Sequence, residues 1–248
     1  MCVGDIVSIT ISEYDIIFGP SKSKAPRAAG LGILSPYVKP NTRNLGVIFD
    51  SNFCFDKQIA AVVKSSFYQL RVIAKMKPHL SLHNLEIVMH AFITSRLDYC
   101  NSLYLGLPQS LLSCLQLVQS SAARLLTGSR KQDHITPILA SLHWLPIQHR
   151  IHFKTVLMVF NALNGLAPPY ITELIHHHSA PRSLRSGSLG LLHVPRTRQK
   201  QRGDRAFAVA APRLWNELPP AVRNAPSITI FKSRLKTHLF SLAFPPLL

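Results

Sequence analysis

The chain has 248 residues, 47% of them hydrophobic, with 28 Lys and Arg against 11 Asp and Glu, a formal net charge of +17 and an isoelectric point near 10.3. That length and apolar content suffice for a packed core and exclude wholesale disorder, and no run of 18 apolar residues reads as a membrane-spanning helix. An excess of one sign on this scale points to a polyanionic partner, nucleic acid first and an anionic membrane surface second.

Along the chain, residues 6–18 alternate and are rich in β-branched side chains, which predicts one or two strands. Residues 19–44 hold Gly19, Pro20, Pro26, Gly30, Gly32, Pro36 and Pro40 and read as loop. Leu45 to Phe49 reads as a strand entering the core. From Asp56 the period changes: Phe55, Ile59, Val62, Val63, Phe67, Leu70 and Ile73 recur at steps of three and four, one face of a helix that Pro78 ends. Ser81 is placed to cap a second helix through about Leu97, with Leu82, Leu85, Val88, Met89, Phe92 and Ile93 as its apolar set. Pro108 suits the first turn of a third helix that stops at Gly128. Residues 134–142 predict a short fourth helix, and Ile147 to Leu163 a fifth, closed by Gly165 and Pro168–Pro169.

Residues 179–206 change character. Arg182, Arg185, Arg196, Arg198, Lys200, Arg202 and Arg205 lie among Ser, Gly and Pro with little apolar periodicity, which predicts a basic, loosely ordered linker. Ala206–Trp215 and a final helix from about Ser227 to Leu242 then resume a packed pattern. The expected class is mainly α: a helical bundle with a small N-terminal β remnant. By segment this gives strands and loop over 1–50, a helical region over 51–178, the basic linker over 179–206 and a C-terminal helical piece over 207–248.

Charge follows the same divisions. Residues 1–50 carry 5 bases and 4 acids, residues 51–178 carry 11 and 5, and residues 179–248 carry 12 and 2. The gradient makes the linker cations the best candidate site: spaced along an extended segment, they can track a phosphate backbone without reading sequence. No aromatic residue lies between Arg182 and Arg205, so base stacking from this segment is not expected.

Other chemistry-bearing residues read as structural. Asp50 and Asp56 flank an aromatic stretch after a strand, the placement in which many metal-dependent polymerases and nucleases hold ions. No third carboxylate is near in sequence, however. Asp50 suits a turn and Asp56 a helix start. Asp98–Tyr99 follows a helix by period, where Arg96 and Asp98 suit a helix-end polar cluster. His149 and His152 are one helical turn apart, with no acid or cysteine at a complementary spacing. His176–His178 read as a solvated helix end. Trp144 and Trp215 suit packing more than base stacking. Cys2, Cys54, Cys100 and Cys114 are scattered and read as buried free thiols. No nucleophile–base–orienting set, P-loop or metal motif stands out, so no cofactor is expected. The N-terminal MCVGDIVSIT lacks the positive n-region of a signal peptide, which makes nucleus or cytoplasm the expected compartment.

Six stretches in order carry a resemblance: LGVIFDSNFCFDKQI (45–59), AFITSRLDYCNSLYLGLP (91–108), LQLVQSSAARLLTG (115–128), DHITPILASLHWLPIQHRIHFKTVLMVFNALNGLAPPYI (133–171), GDRAFAVAAPRLWNELPPAVRNAPS (203–227) and FKSRLKTHLFSLAF (231–244). Together they resemble the C-terminal, thumb and post-thumb part of the reverse transcriptase of LINE-like (non-LTR) retrotransposons, over nearly all of 45–244. EYDIIFGP (13–20) looks like a degraded form of the stretch that follows that family's catalytic strand pair. The resemblance implies that residues 1–50 are a palm remnant and 51–178 a thumb-like region. It also implies that the metal-binding carboxylates, on an aromatic-x-Asp-Asp turn and an earlier aspartate, belong upstream. The chain has no Asp-Asp dipeptide among its seven aspartates. It is therefore expected not to be an enzyme by itself, to grip an RNA or DNA backbone, and to take the catalytic part of a retrotransposon polyprotein as a partner. The alternative is a host-co-opted or relic helical module that binds protein.

Overall fold

The computed structural model describes residues 8–11, 14–17, 41–178, 190–198 and 200–245. They are mainly helical, with small antiparallel sheets near the N-terminus. The chain divides into two compact units, Met1–Ala61 and Val62–Leu248.

In the first unit, β1 (Ser8–Ile11) pairs with β2 (Tyr14–Ile17), with Ser8 opposite Ile17. β3 (Asn41–Asn44) pairs with β4 (Val47–Asp50), with Asn41 opposite Asp50. Residues 41–44, expected as the end of a loop, are thus a strand, and Leu45–Gly46 is the two-residue turn. Both turn residues have positive φ, 44° and 83°, the backbone that matches strand twist in a tight hairpin. Leu45 is accordingly exposed, and the strand enters the core at Val47, not at Leu45.

The Asp50 carboxylate organises the turn between β4 and the first helix. Its Oδ1 accepts from the backbone N–H of Asn52 (2.9 Å) and Cys54 (3.0 Å), and its Oδ2 from Phe55 (2.7 Å). These bonds hold Phe53 and Phe55 at positive φ, 52° and 61°, a backbone that a bulky side chain rarely adopts unaided. The rings of Phe49, Phe53 and Phe55 meet edge-on or tilted at 5.7–6.3 Å. Gln58, buried, accepts from the Ile48 N–H at 2.9 Å. Asp56 is the first residue of α1 (Asp56–Met76) and sits at its positive end. Both aspartates therefore have structural work at the strand-to-helix passage.

In the second unit, Ser81 caps α2 (Leu82–Met89) by accepting from Asn84 N–H at 3.2 Å. The helix then widens into a π turn over His90–Thr94 and closes as α3 (Ser95–Asp98). Its buried residues are Leu85, Met89, Ile93 and Leu97, always four apart. At 3.6 residues per turn such a row drifts by about 40° per step, and the extra residue of a π turn takes up part of the drift. Leu82, the first residue of α2, and Phe92, inside the π turn, are expected on the apolar face and are instead exposed.

Further along, α4 (Gln109–Thr127) ends at Gly128, which sits at φ 72° and donates its N–H to Arg124 O at 2.8 Å. α5 (Ile135–Ser141) and α6 (Ile147–Leu163) come next. Buried Gln119 donates to Leu145 O at 2.8 Å, and Gln116 accepts from Ile147 N–H at 3.0 Å, so two α4 amides fix the start of α6. The short α7 (Pro169–Thr172) and α8 (Lys200–Gly203) precede α9 (Phe207–Asn216), α10 (Pro220–Arg223) and α11 (Ile228–Ala243), the last capped by Ser227. One core joins α6, α9, α10 and α11, with Phe160 stacked on Phe231 at 4.1 Å and Trp215 5.8 Å from Phe231. The stretches 51–178 and 207–248, distinct in sequence character, thus share side chains in one core.

Two local expectations change. Asp98 does not cluster with Arg96: it takes Arg150 of α6 in a two-bond pair, with Nε at 2.8 Å, and Arg96 instead reaches Ser65 of α1 at 3.2 Å. The planar guanidinium fork favours the two-oxygen partner across the helix packing over a neighbour along the chain. Nor are the described thiols buried. Cys54 lies in the exposed turn after β4, Cys114 lies on the outer side of α4, and Cys100 is half-buried at a left-handed backbone position.

Candidate nucleic-acid interface

Arg182 and Arg185 lie outside the described residues; the other five predicted site residues lie on the described stretches 190–198 and 200–245. There the chain is ordered, whereas the sequence predicts a loose linker. Leu192 is almost wholly buried in the α6–α9–α11 core. Around it the backbone forms a short antiparallel bridge: His178 N–H donates to Leu191 O at 3.0 Å and His193 N–H to His176 O at 2.9 Å. His176–His178 are therefore one side of a strand pairing, not a helix end.

The opposite edge is held by α9. Asn216 accepts from Leu192 N–H and donates to Leu192 O, both at 2.9 Å, so one side-chain amide stands in for a neighbouring strand. Trp215 Nε1–H donates to Gly190 O at 3.1 Å. Further on, the Thr197 hydroxyl donates to Asp204, and Asp204 pairs with Arg213 of α9 at 3.2 Å. Thr197 also packs on Gly203, where an added Cβ would lie 2.8 Å from the threonine Cβ.

The predicted cations divide by role on this frame. Arg196 and Arg198 flank Thr197 and are exposed. Lys200 opens α8 and Arg202 is an exposed residue of the same turn. Arg205 is half-buried and structural: its Nε–H donates to Leu105 O at 3.1 Å, and its Cγ would lie 2.7 Å from a Cβ on Gly106. Asn216→Ala is expected to remove both bonds to Leu192 and cost about 1–3 kcal/mol, given roughly 0.5–1.5 kcal/mol for each. Hydrogen exchange checks it: the Leu192 amide loses protection while the α4 amides keep theirs.

Charge surrounds this ledge. The unit Val62–Leu248 has 22 Lys and Arg and only 6 Asp and Glu. Two of those acids, Asp98 and Asp204, are already paired with arginine. No rearrangement of the remaining acids can neutralise the unit.

The histidines do not assemble a metal centre. His149 and His152 have ring centroids 6.2 Å apart, and among the described residues no three His, Cys, Asp or Glu side chains converge. Burial, and then the neighbouring His149, lower the His152 pKa from 6.5 to about 4. The folded state therefore holds His152 neutral, whereas the unfolded chain protonates it near pH 6.5. Stability is expected to be full above pH 6.5 and to be lost progressively as the pH falls through 4, and His152→Gln is expected to shift the acid-unfolding midpoint downward. Acid titration followed by circular dichroism measures the shift. Trp144 and Trp215 are both buried and cannot stack on an external base.

Among the described residues no helix is long and apolar enough to cross a membrane. No protein-family model, no curated protein and no solved structure matches the chain.

Proposed function

We propose that this chain is a non-catalytic nucleic-acid-binding fragment of a LINE-like reverse transcriptase, gripping an RNA or DNA backbone through an ordered cationic ledge at Arg196, Arg198 and Arg202, with Lys200 continuing the basic run in sequence. One observation carries the reading: a unit with 22 bases and 6 acids presents exposed arginines on a segment anchored to its core by Leu192 and Asn216. Anchoring lowers the ordering entropy that a loose basic linker loses on binding. Arg182 and Arg185 extend the same run in sequence and belong to the proposed contact.

Assignment to the retrotransposon family rests on the six ordered stretches. With no Asp-Asp dipeptide in the sequence, the reading makes the chain a partner of a catalytic part rather than a polymerase, and the proposed place of action is the nucleus or cytoplasm. The experiment is Arg196→Gln with Arg198→Gln. On single-stranded RNA, the slope of log affinity against log salt is expected to flatten by about 1.4 units, roughly 0.7 for each phosphate no longer neutralised. An unchanged slope removes these arginines from the interface.

A second reading, a helical protein-interaction module, draws on α1. Tyr68, Val72 and Met76 stand at four-residue intervals and are exposed, an apolar stripe of the kind that docks on a partner helix. Partner binding insensitive to salt would favour it.

A further inference from the structure

Beside the ledge lies a cavity of about 250 Å³ between α6, α9 and the 104–107 turn. Its polar wall is Gln109, Gln148, His152, Asp204, Arg213 and Glu217, and Tyr104, Gly106 and aliphatic side chains complete it. With His152 neutral, the lining carries two carboxylates and one guanidinium, and the Arg205 guanidinium is bound to the Leu105 carbonyl of the same wall. The two carboxylates disfavour a phosphate beside them, whereas the exposed arginines of the ledge favour one. The two places are joined directly, because Thr197, between Arg196 and Arg198, donates its hydroxyl to Asp204 on the cavity wall. Asp204 is thereby committed to Thr197 and Arg213, whereas the Glu217 carboxylate has no hydrogen bond or ion pair among the described residues.

We propose that this cavity takes one unstacked base of a single strand whose phosphates lie on the Arg196–Arg198 ledge, and that it prefers guanine. The inference rests on the backbone-binding reading above. Size admits a base and little more, since sites for drug-sized ligands run to about 300–1,000 Å³. Single-stranded RNA is read in this way, by hydrogen bonds to the pairing edge of a splayed base. Guanine presents two adjacent donors, N1–H and N2–H, that one carboxylate accepts together, and its O6 is left for a glutamine amide. Uracil presents one N–H between two carbonyl oxygens, which a carboxylate repels. A backbone grip without sequence readout thereby acquires a preference at one position.

The test is binding of the full chain to three labelled RNAs: an oligouridine, the same strand with one central guanosine, and the same strand with an abasic site there. The guanosine strand is expected to bind about tenfold tighter than the other two, within the range that a good bidentate base contact supplies. Glu217→Gln, an exposed substitution at the end of α9, is expected to reduce that ratio to under about twofold with the salt slope unchanged. Equal affinity for all three RNAs overturns the base pocket and leaves the ledge standing. A guanosine preference that survives both Glu217→Gln and Gln148→Ala also overturns it, by placing the base elsewhere. Failure of every strand to bind at low salt overturns the backbone reading, and the pocket with it.

Discussion

Trp215→Ala is expected to destabilise the Val62–Leu248 unit by about 3–5 kcal/mol, the usual cost of truncating a large buried aromatic. Two effects combine. The indole is 3% exposed and packs against Phe231 at 5.8 Å, itself stacked on Phe160, so its removal opens a cavity where α6, α9 and α11 meet. Its Nε1–H is also the donor to Gly190 O, so the segment bearing Arg196 and Arg198 loses an anchor. Trp215→Phe separates the two: it keeps much of the ring volume, drops the donor and is expected to cost far less. Urea unfolding measures both variants, with a lower midpoint and an unchanged slope as the expected signature. A Trp215→Ala variant as stable as the parent would contradict the core described for this unit.

Asp50→Ala is the second large effect, on the other unit. Three backbone N–H groups lose a charged acceptor, each bond of that kind contributing about 1.5–3 kcal/mol when shielded. The turn is partly open to water, so a total of about 3 kcal/mol is expected. Phe53 and Phe55 are at positive φ, and the three bonds to the Asp50 carboxylate are the charged part of what holds that strained turn. Asp50→Asn is the informative control. Its remaining oxygen serves the Asn52 and Cys54 amides, so only the Phe55 bond is removed, and the cost is expected to be less than half. Amide exchange at residues 52, 54 and 55 reads this unit without interference from the helices. If Asp50→Ala leaves those amides protected, the carboxylate is free for other chemistry.

The long helices are legible in the sequence because their signals are local. Ser81, Gly128 and Ser227 mark helix boundaries by capping chemistry, and three-to-four spacing gives the buried faces of α1, α4, α6 and α11. The π turn is not legible, since one extra residue in a helix leaves no mark except the four-residue spacing of Leu85, Met89, Ile93 and Leu97. The 190–206 segment reads as loose because its arginines outweigh its few apolar residues. A signal of order is present in GLLHVP, whose Leu192 is buried, but the partner that satisfies its backbone, Asn216, lies 24 residues away. The partner of Asp98 is hidden for the same reason, with Arg150 52 residues distant. Cysteine burial is a statistical tendency that three exposed or half-exposed thiols do not follow here.

Of the predicted site, Arg196 and Arg198 have the exposure a phosphate contact needs, and Arg205 is committed to holding Leu105. The cavity beside the ledge is invisible in sequence. Gln109, Gln148 and Glu217 come from three different helices or their ends, and nothing in their spacing brings them together.

Whether the unneutralised cationic unit grips a nucleic-acid backbone is tested most directly by fluorescence anisotropy of the purified chain on a labelled single-stranded RNA, titrated from low to high salt. Binding that weakens linearly in log salt, with a slope of several units, is the expected result. No binding at low salt, from protein whose helical signal shows it folded, would contradict the backbone grip and make the charge incidental.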